Sequence, residues 1–430
     1  MTVYKLTRFF NKKTTSFIKS IYYRNLSSAT SVSDRASFPG YKGEFSTELQ
    51  FIYPENNAQI QCYRVMNRKG VVIDPSHEPK FDNESLLKMY KNMNLLSKFD
   101  MIMYEAQRQG RISFYMQNHG ETAAQIGSAA ALDPQDLIFA QYRESGVLLY
   151  RGFTIQQCCD QIFGNSNGSC KGKQMPVHYG SKELNFVTIS SPLATQIPQA
   201  AGAAYAFKRN QNGLCVITYF GEGAASEGDA QVAMNFAAVF DVPLIFFCRN
   251  NGYAISTPVK EQYRGDGIAA RGPAFGMVTI RVDGNDLFAV YNATRAARQI
   301  AVKESRPVLI EAMTYRLGHH STSDDSTAYR SVDEINLWEK DDNPMNRFRN
   351  YLHNKGILTK EMESEMDAEH KRIILECMTK AERTKYCKPT EMFLDVYDKP
   401  TDLILKQQKE LLEHLKTHKE HYPMNSYEKL

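Results

Sequence analysis

Two continuous apolar runs stand one helix apart in the middle of this chain, LCVITYF at residues 214–220 and PLIFFCR at residues 243–249. A strand wet on one face alternates, whereas a run apolar throughout is a strand covered on both faces. A helical stretch near 227–240 separates the two. Residues 278–282, a helix near 287–302 and residues 308–314 repeat the scheme. Strands alternating with helices imply βαβ units, so the expected fold class is α/β: a mainly parallel sheet with helices on both faces. Upstream, Leu86, Tyr90, Met93, Leu96, Phe99 and Met103 recur at spacings of three or four and predict a helix over 84–109, stopped by Gly110. Residues 34–83 read as an extended, loop-rich arm. Beyond residue 332 the chain turns polar and helical, with a further helix around 403–418 and a short aromatic tail. The expected divisions are 1–33, 34–83, 84–330 and 331–430.

The first division is set apart by charge. Residues 1–33 hold six basic residues and no acid, with basic and aromatic side chains alternating and no continuous apolar segment. That pattern predicts a mitochondrial transit peptide, processed near residues 25–28, and places the rest in the matrix. Without those six residues the net charge turns from +4 to −2, which removes the basic excess that nucleic-acid binding needs. No later run approaches the roughly 18 apolar residues of a membrane span. Eight scattered cysteines without a C-x-x-C pair argue against a zinc cluster or a disulfide scaffold; Cys215 and Cys248 fall inside the apolar strands and read as core.

Chemistry concentrates just past the two strands. GEGAASEGDA puts Glu222 two residues beyond the first, and NNGYAIST puts Asn251 two residues beyond the second. If these strands are parallel neighbours, a carboxylate and an amide oxygen share the carboxyl edge of the sheet, where α/β proteins bind ligands. Hard oxygens of this kind suit Mg²⁺, which completes its octahedron with phosphate oxygens and water. Gly221 and Gly223 let an anion approach, and a helix starting near Ser226 directs its N-terminus there. Ser226 stands where a dinucleotide fingerprint has its third glycine, and no phosphate-loop motif occurs. A bare βα turn followed by an Asx turn is the bland alternative.

The G-E-G run followed about thirty residues later by N-N resembles the thiamine-diphosphate-binding motif. RQGRISFYMQNHGETAAQIGSAAALD, AQYRESGVLLYRG, KGKQMPVHYG, TISSPLATQIPQAAGAAYA, RNNGYAISTPVKEQYRGDGIAARG and YRLGHHSTSDDSTAYRSVDE resemble the α subunits of 2-oxo acid dehydrogenases, of the branched-chain rather than the pyruvate type. The likeness runs from about Tyr63 to the C-terminus. It implies that residues 84–330 form a thiamine-diphosphate-binding domain and that 331–430 pack on a partner chain. It implies that Glu222, Asn251 and the Tyr253 carbonyl hold Mg²⁺, Glu222 standing where many thiamine enzymes have Asp. Tyr142, Arg143, Ser191, Gly223, Ala224, Arg249 and His320 match the cofactor contacts, and Ser190, Pro192, Thr195 and Gln196 match a K⁺ site.

The stretch His319–Ala328 holds no apolar residue before Ala328 and reads as an exposed loop. The resemblance gives His320 a role at the cofactor and in acyl transfer to a lipoyl carrier. It makes Ser321, and more weakly Ser331, targets of a regulatory kinase and phosphatase. A phosphate beside Asp324 and Asp325 would repel them. About 100 mostly helical residues follow the sheet, too few for a second sheet domain. Half of the active site should therefore come from another chain. The resemblance agrees, implying two α and two β chains, a lipoyl-bearing acyltransferase and a 2-oxo acid substrate. The helix from residue 84 and the aromatic tail are the expected contact surfaces. A nicotinamide-dependent dehydrogenase and a non-catalytic scaffold are the competing readings.

Overall fold

The computed structural model describes residues 36–429; the leader expected at 1–33 lies outside them. The chain divides into a unit ending at Ala58 and a second unit, Gln59–Leu430. In the first, β1 (Ala36–Phe38) pairs antiparallel with β2 (Tyr41–Gly43).

The second unit is built on seven parallel strands. They are β3 (Cys62–Tyr63), β4 (Leu137–Phe139), β5 (Phe186–Val187), β6 (Val216–Gly221) and β7 (Leu244–Asn250), then two strands beyond a small antiparallel hairpin. The hairpin is β8 (Tyr253–Ala254) with β9 (Thr257–Pro258). The last two are β10 (Val278–Asp283) and β11 (Val308–Met313), and the order across the sheet is β3-β10-β11-β7-β6-β4-β5.

The period of two along β6 and β7 explains the unbroken apolar runs. Ile217, Tyr219, Ile245 and Phe247 feed one core with Met93, Leu96 and Phe99 of the Asn83–Arg108 helix. Val216, Phe220, Leu244, Phe246 and Cys248 feed the other, with Ala200 and Ala204 of the Gln196–Asn210 helix and Ala233 and Met234 of the Gly228–Val239 helix. Each large side chain so buried contributes about 1.5–3 kcal/mol, and both sets must be apolar.

Three expectations change. The arm does not end at residue 83, because β3 joins β10 and the buried Asp286 carboxylate accepts the backbone N–H groups of Val65 and Met66 at 2.7 and 2.6 Å. Backbone pairing needs no hydrophobic pattern, so the pattern did not announce it. The Asn83–Arg108 helix, capped by Asp82 at Ser85 N, buries Leu86, Met89, Tyr90, Met93, Leu96, Phe99 and Met103 within its own chain. Its apolar face is core and is not left over for a partner. The C-terminal region is also partly committed to this unit. The Lys360–Arg383 helix buries Met366, Ile374 and Met378, and its His370 Nδ1 lies 2.7 Å from Asn94 Oδ1. No helix among the described residues is long and apolar enough to cross a membrane.

Candidate active site

In the register of β6 and β7, Gly221 stands opposite Arg249. Glu222 and Asn251 therefore leave the sheet at one edge, and the Asn251 N–H donates to the Glu222 carboxylate at 3.2 Å. The helix expected at Ser226 begins at Gly228, after a 3₁₀ turn over Ala224–Ser226. That turn packs tightly: a Cβ on Gly223 would lie 2.7 Å from the Cβ of Ala254.

A cleft of about 160 Å³ opens at this edge, walled by Glu222, Gly223, Ala224, Asn251 and Tyr253 together with Tyr142, Arg143, Arg249, Arg316 and His320. A larger cleft of about 980 Å³ lies beyond Tyr253 and shares that residue with it; the expected cofactor residues line the smaller one. Ser191 is the exception. It is exposed, and its hydroxyl lies 2.7 Å from His178 Nε2, while Leu193 of the same loop reaches the wall. In that loop the Thr195 hydroxyl donates to Ser190 Oγ at 3.4 Å and to the Pro192 carbonyl at 3.3 Å, and Gln196 Nε2 ties the loop to the Tyr219 carbonyl at 2.9 Å.

Charges in the cleft are arranged in two groups. Glu222, 2% exposed, has no basic side chain within ion-pair distance among the described residues. Burial lifts its carboxyl to about 7; Glu121 adds to the shift, while hydrogen bonds from backbone N–H groups and the Arg249 charge oppose it. Arg249, also 2% exposed, is held between two fully buried glutamates. Its Nε and Nη2 donate to Glu144 at 2.5 Å and its Nη1 to Glu121. Burial opposes its charge, but Glu144 and Glu121 outweigh burial and raise its pKa. Arg143 Nε lies 3.5 Å from Glu121, and its Nη2 donates to the His320 carbonyl at 2.9 Å.

Glu121 also fixes the metal-ligand candidate. It accepts from Asn251 Nδ2 at 3.0 Å, and the Asn251 Oδ1 accepts the Tyr253 N–H at 3.2 Å. These two bonds fix the sense of the amide, and Asn251, Glu222 and Tyr253 wall the same cleft. An uncompensated buried carboxylate beside an oriented amide oxygen and a carbonyl fits a hard dication. The arginines nearby fit the anion such a dication would carry.

His320 sits between cations. Its Nδ1 lies 3.3 Å from Arg316 Nη1 and 3.5 Å from Arg143 Nη2. Burial first, then the Arg143 and Arg316 charges, push its pKa down to about 3, against the pull of Asp324. The ring is neutral at physiological pH. With donors facing Nδ1, the proton belongs on Nε2. Arg316 is 1% exposed and has no carboxylate within ion-pair distance among the described residues; it donates to the Ile255 carbonyl at 2.7 Å, the Tyr329 hydroxyl at 2.8 Å and the Tyr253 carbonyl at 3.4 Å. Burial, with Arg143 and Arg330 nearby, lowers its pKa.

The stretch expected as an exposed loop is exposed only at Ser323, Asp325, Thr327 and Ala328 and is otherwise folded in. Ser321, Thr322 and Ser326 are 8%, 5% and 1% exposed. Its short polar side chains bond to the protein in place of water. Thr322 Oγ1 accepts the Tyr115 N–H at 3.1 Å, and Ser326 N donates to His319 Nδ1 at 3.0 Å. Asp324 accepts from His320 N at 2.8 Å and Tyr329 OH at 2.6 Å. Arg330 donates to the carbonyls of Arg316, Leu317 and Gly318. Ser321 Oγ accepts from Ser323 N, and Ser331 Oγ caps the Val332–Asp341 helix at Glu334 N. Glu121, Glu144, Arg316 and this staple were missed in the sequence. One signal existed for Glu121: a lone acid opening the otherwise apolar TAAQIGSAAA helix (Thr122–Ala131).

The family model for the dehydrogenase E1 component matches residues 90–390. Over 400 residues the chain is 57% identical to the 2-oxoisovalerate dehydrogenase subunit alpha, mitochondrial, of Homo sapiens, covering 93% of this chain and 90% of that protein. The proteins of that name from Caenorhabditis elegans (55% over 384 residues, 89% of each chain) and Dictyostelium discoideum (56% over 385 residues, 89% and 87%) are similar to it in the same way.

Proposed function

Since this chain belongs to the dehydrogenase E1 component family, we propose that the cleft between Glu222 and His320 takes the Mg²⁺-diphosphate end of thiamine diphosphate. The chain is the α subunit of a mitochondrial 2-oxoisovalerate dehydrogenase, an oxidoreductase that decarboxylates branched-chain 2-oxo acids. Its family depends on thiamine diphosphate. Its partners are a β subunit and the acyltransferase of the complex. The observation that carries the site is the arrangement of charge: the buried Glu222 carboxylate has no ion-pair partner among the described residues, and it walls one cleft together with Arg143, Arg249 and Arg316.

In this reading Glu222, Asn251 Oδ1 and the Tyr253 carbonyl hold Mg²⁺. Arg143 and Arg249 face the diphosphate, with Tyr142, Gly223 and Ala224 shaping the cleft and Ser191 reaching it from its loop. Ser190, Pro192, Thr195 and Gln196 take K⁺ and steady that loop. Thiamine diphosphate, when bound, supplies a nucleophilic carbon and an electron sink for the departing CO₂. What the chain adds is position and fixed charge. Glu121 and Glu144 keep Arg249 ionised and in place, so no reorganisation is needed when the anion arrives. Neutral His320 offers its Nε2–H to the diphosphate or to the acyl group moving to the lipoyl carrier.

The β subunit supplies the rest of the active site, in a tetramer of two α and two β chains. Val232, Phe236 and Val239 support this: they lie on one face of the Gly228–Val239 helix and are 53%, 53% and 68% exposed, an apolar stripe that a lone soluble chain has no use for. Exposed Leu403 and Tyr422 near the C-terminus add to it. Ser321 and Ser331 are the sites for the kinase and phosphatase. A phosphate on Ser321, three positions from the stapled Asp324, would repel that carboxylate and open the loop.

The test is co-expression with the β chain and assay of 3-methyl-2-oxobutanoate decarboxylation. Turnover should require thiamine diphosphate, Mg²⁺ and both chains. Turnover by the α chain alone, or without the cofactor, overturns the proposal, and a preference for pyruvate would reassign the substrate.

A further inference from the structure

Far along the chain from the cleft, where the Asp402–Thr417 helix ends, a second group of ligating side chains comes together. His418 caps the helix, its N–H donating to the His414 carbonyl at 2.9 Å. The chain then folds back through a 3₁₀ turn over Lys419–His421. That turn brings together His418, Glu420 and His421, each of which places a ligand atom within 4.8 Å of the others. The His418 and His421 rings lie 6.2 Å apart, 29° between their planes. His414, one helical turn earlier, has its ring 4.6 Å from that of His418 and its Nε2 3.0 Å from the Tyr422 hydroxyl.

We infer that this corner binds a transition-metal dication of the zinc class, with His418, Glu420 and His421 as its protein ligands. Two imidazoles and a carboxylate form a borderline set that favours Zn²⁺, Ni²⁺ or Cu²⁺ over the hard Mg²⁺ of the cleft. The His414-x₃-His418 spacing is of the kind zinc sites use. Three ligands leave a fourth position, open to water or to the His414 ring. Zinc–nitrogen bonds of about 2.0–2.1 Å put tetrahedral ligands roughly 3.4 Å apart. From separations of up to 4.8 Å the donors must therefore close by up to about 1.4 Å, which the exposed side chains achieve by rotating about their own bonds. The bound ion would clip the helix end to the segment that returns to Tyr386, whose N–H donates to the Ser426 carbonyl at 2.9 Å.

The experiment uses the full chain with its β subunit, saturated with thiamine diphosphate and excess Mg²⁺ so that the Glu222 cleft is filled. Zn²⁺ is added by calorimetry and Co²⁺ is followed by visible absorption. Wild type should bind one more equivalent per α chain than His418→Ala/His421→Ala, which should unfold at the same temperature in metal-free buffer. Glu420→Gln, a single exposed change, should weaken Zn²⁺ without disturbing the fold. Equal stoichiometry and affinity in wild type and double variant, or a Co²⁺ spectrum that the substitutions leave unchanged, overturns the site.

Discussion

The edge of the sheet and the loop at 319–330 both face the cleft, but they are built by different means. Glu222 and Asn251 are placed by the backbone: two parallel strands in register leave their ends side by side, whatever the side chains do. His320 and its neighbours are placed by side-chain bonds, among them Thr322 to Tyr115, Asp324 to Tyr329 and Arg330 to three carbonyls. A site held by strand register is rigid. A loop held by a handful of polar bonds stands nearer the low-stability end of the molecule, where adding one charge can release it. On the proposed reading, the metal ligands stand on the fixed part and the modifiable serine on the part that can let go.

The contrast can be broken most sharply at Arg249. Arg249→Met leaves the buried Glu144 without its cation and Glu121 with Arg143 alone, at 3.5 Å, which should cost about 3–5 kcal/mol. Chemical denaturation of the αβ assembly checks it, and a loss confined to cofactor affinity would mean that the edge is softer than described. Thr322→Val keeps the shape but strands the buried Tyr115 N–H, at a cost of about 1–3 kcal/mol. Hydrogen exchange should quicken across 319–330 while β6 and β7 stay protected.

The third prediction concerns pH. The His320 pKa is depressed in the fold, from 6.5 to about 3. As pH falls below 6.5 the unfolded chain takes up a proton that the folded one refuses, so stability is lost between these values. Before cofactor is added, wild type should take up about one more proton on unfolding in that window than His320→Gln. Equal slopes would place the imidazole in solvent. The smallest effect is expected at the end of the loop: Ser331→Ala removes the cap of the Val332–Asp341 helix and should cost about 1 kcal/mol, read as a small shift of the melting temperature.

The same division decides what could be read before the structure. Strands β6 and β7 announced themselves by continuous apolar runs and β10 and β11 by repeating the strand–helix alternation, and Glu222 and Asn251 followed from where the first two runs stop. Glu121 and Glu144 gave almost no signal, because an acid in a sequence looks solvated until the arginine it meets is known, and Arg249 is more than a hundred residues away. The loop was misread for a related reason. A polar, apolar-free stretch reads as exposed, but Thr322 accepts the Tyr115 N–H and Asp324 accepts the His320 N–H and the Tyr329 hydroxyl. Polarity marks the need for a hydrogen-bond partner and does not say that the partner is water. The exposed face of Val232, Phe236 and Val239 was overlooked because a helix that is apolar nearly all round reads as buried on every side.

The central claim is that Glu222, set beside Asn251 by strand register, holds the metal that bridges the diphosphate. It is tested by titrating thiamine diphosphate into the αβ assembly with and without Mg²⁺, for wild type and Glu222→Ala. Wild type should bind the cofactor tightly only with Mg²⁺. The variant should melt no lower than wild type when free of cofactor, since a buried uncompensated carboxylate has gone, and should bind weakly whether or not Mg²⁺ is present. A variant that still gains affinity from Mg²⁺ would contradict the account and put the metal elsewhere.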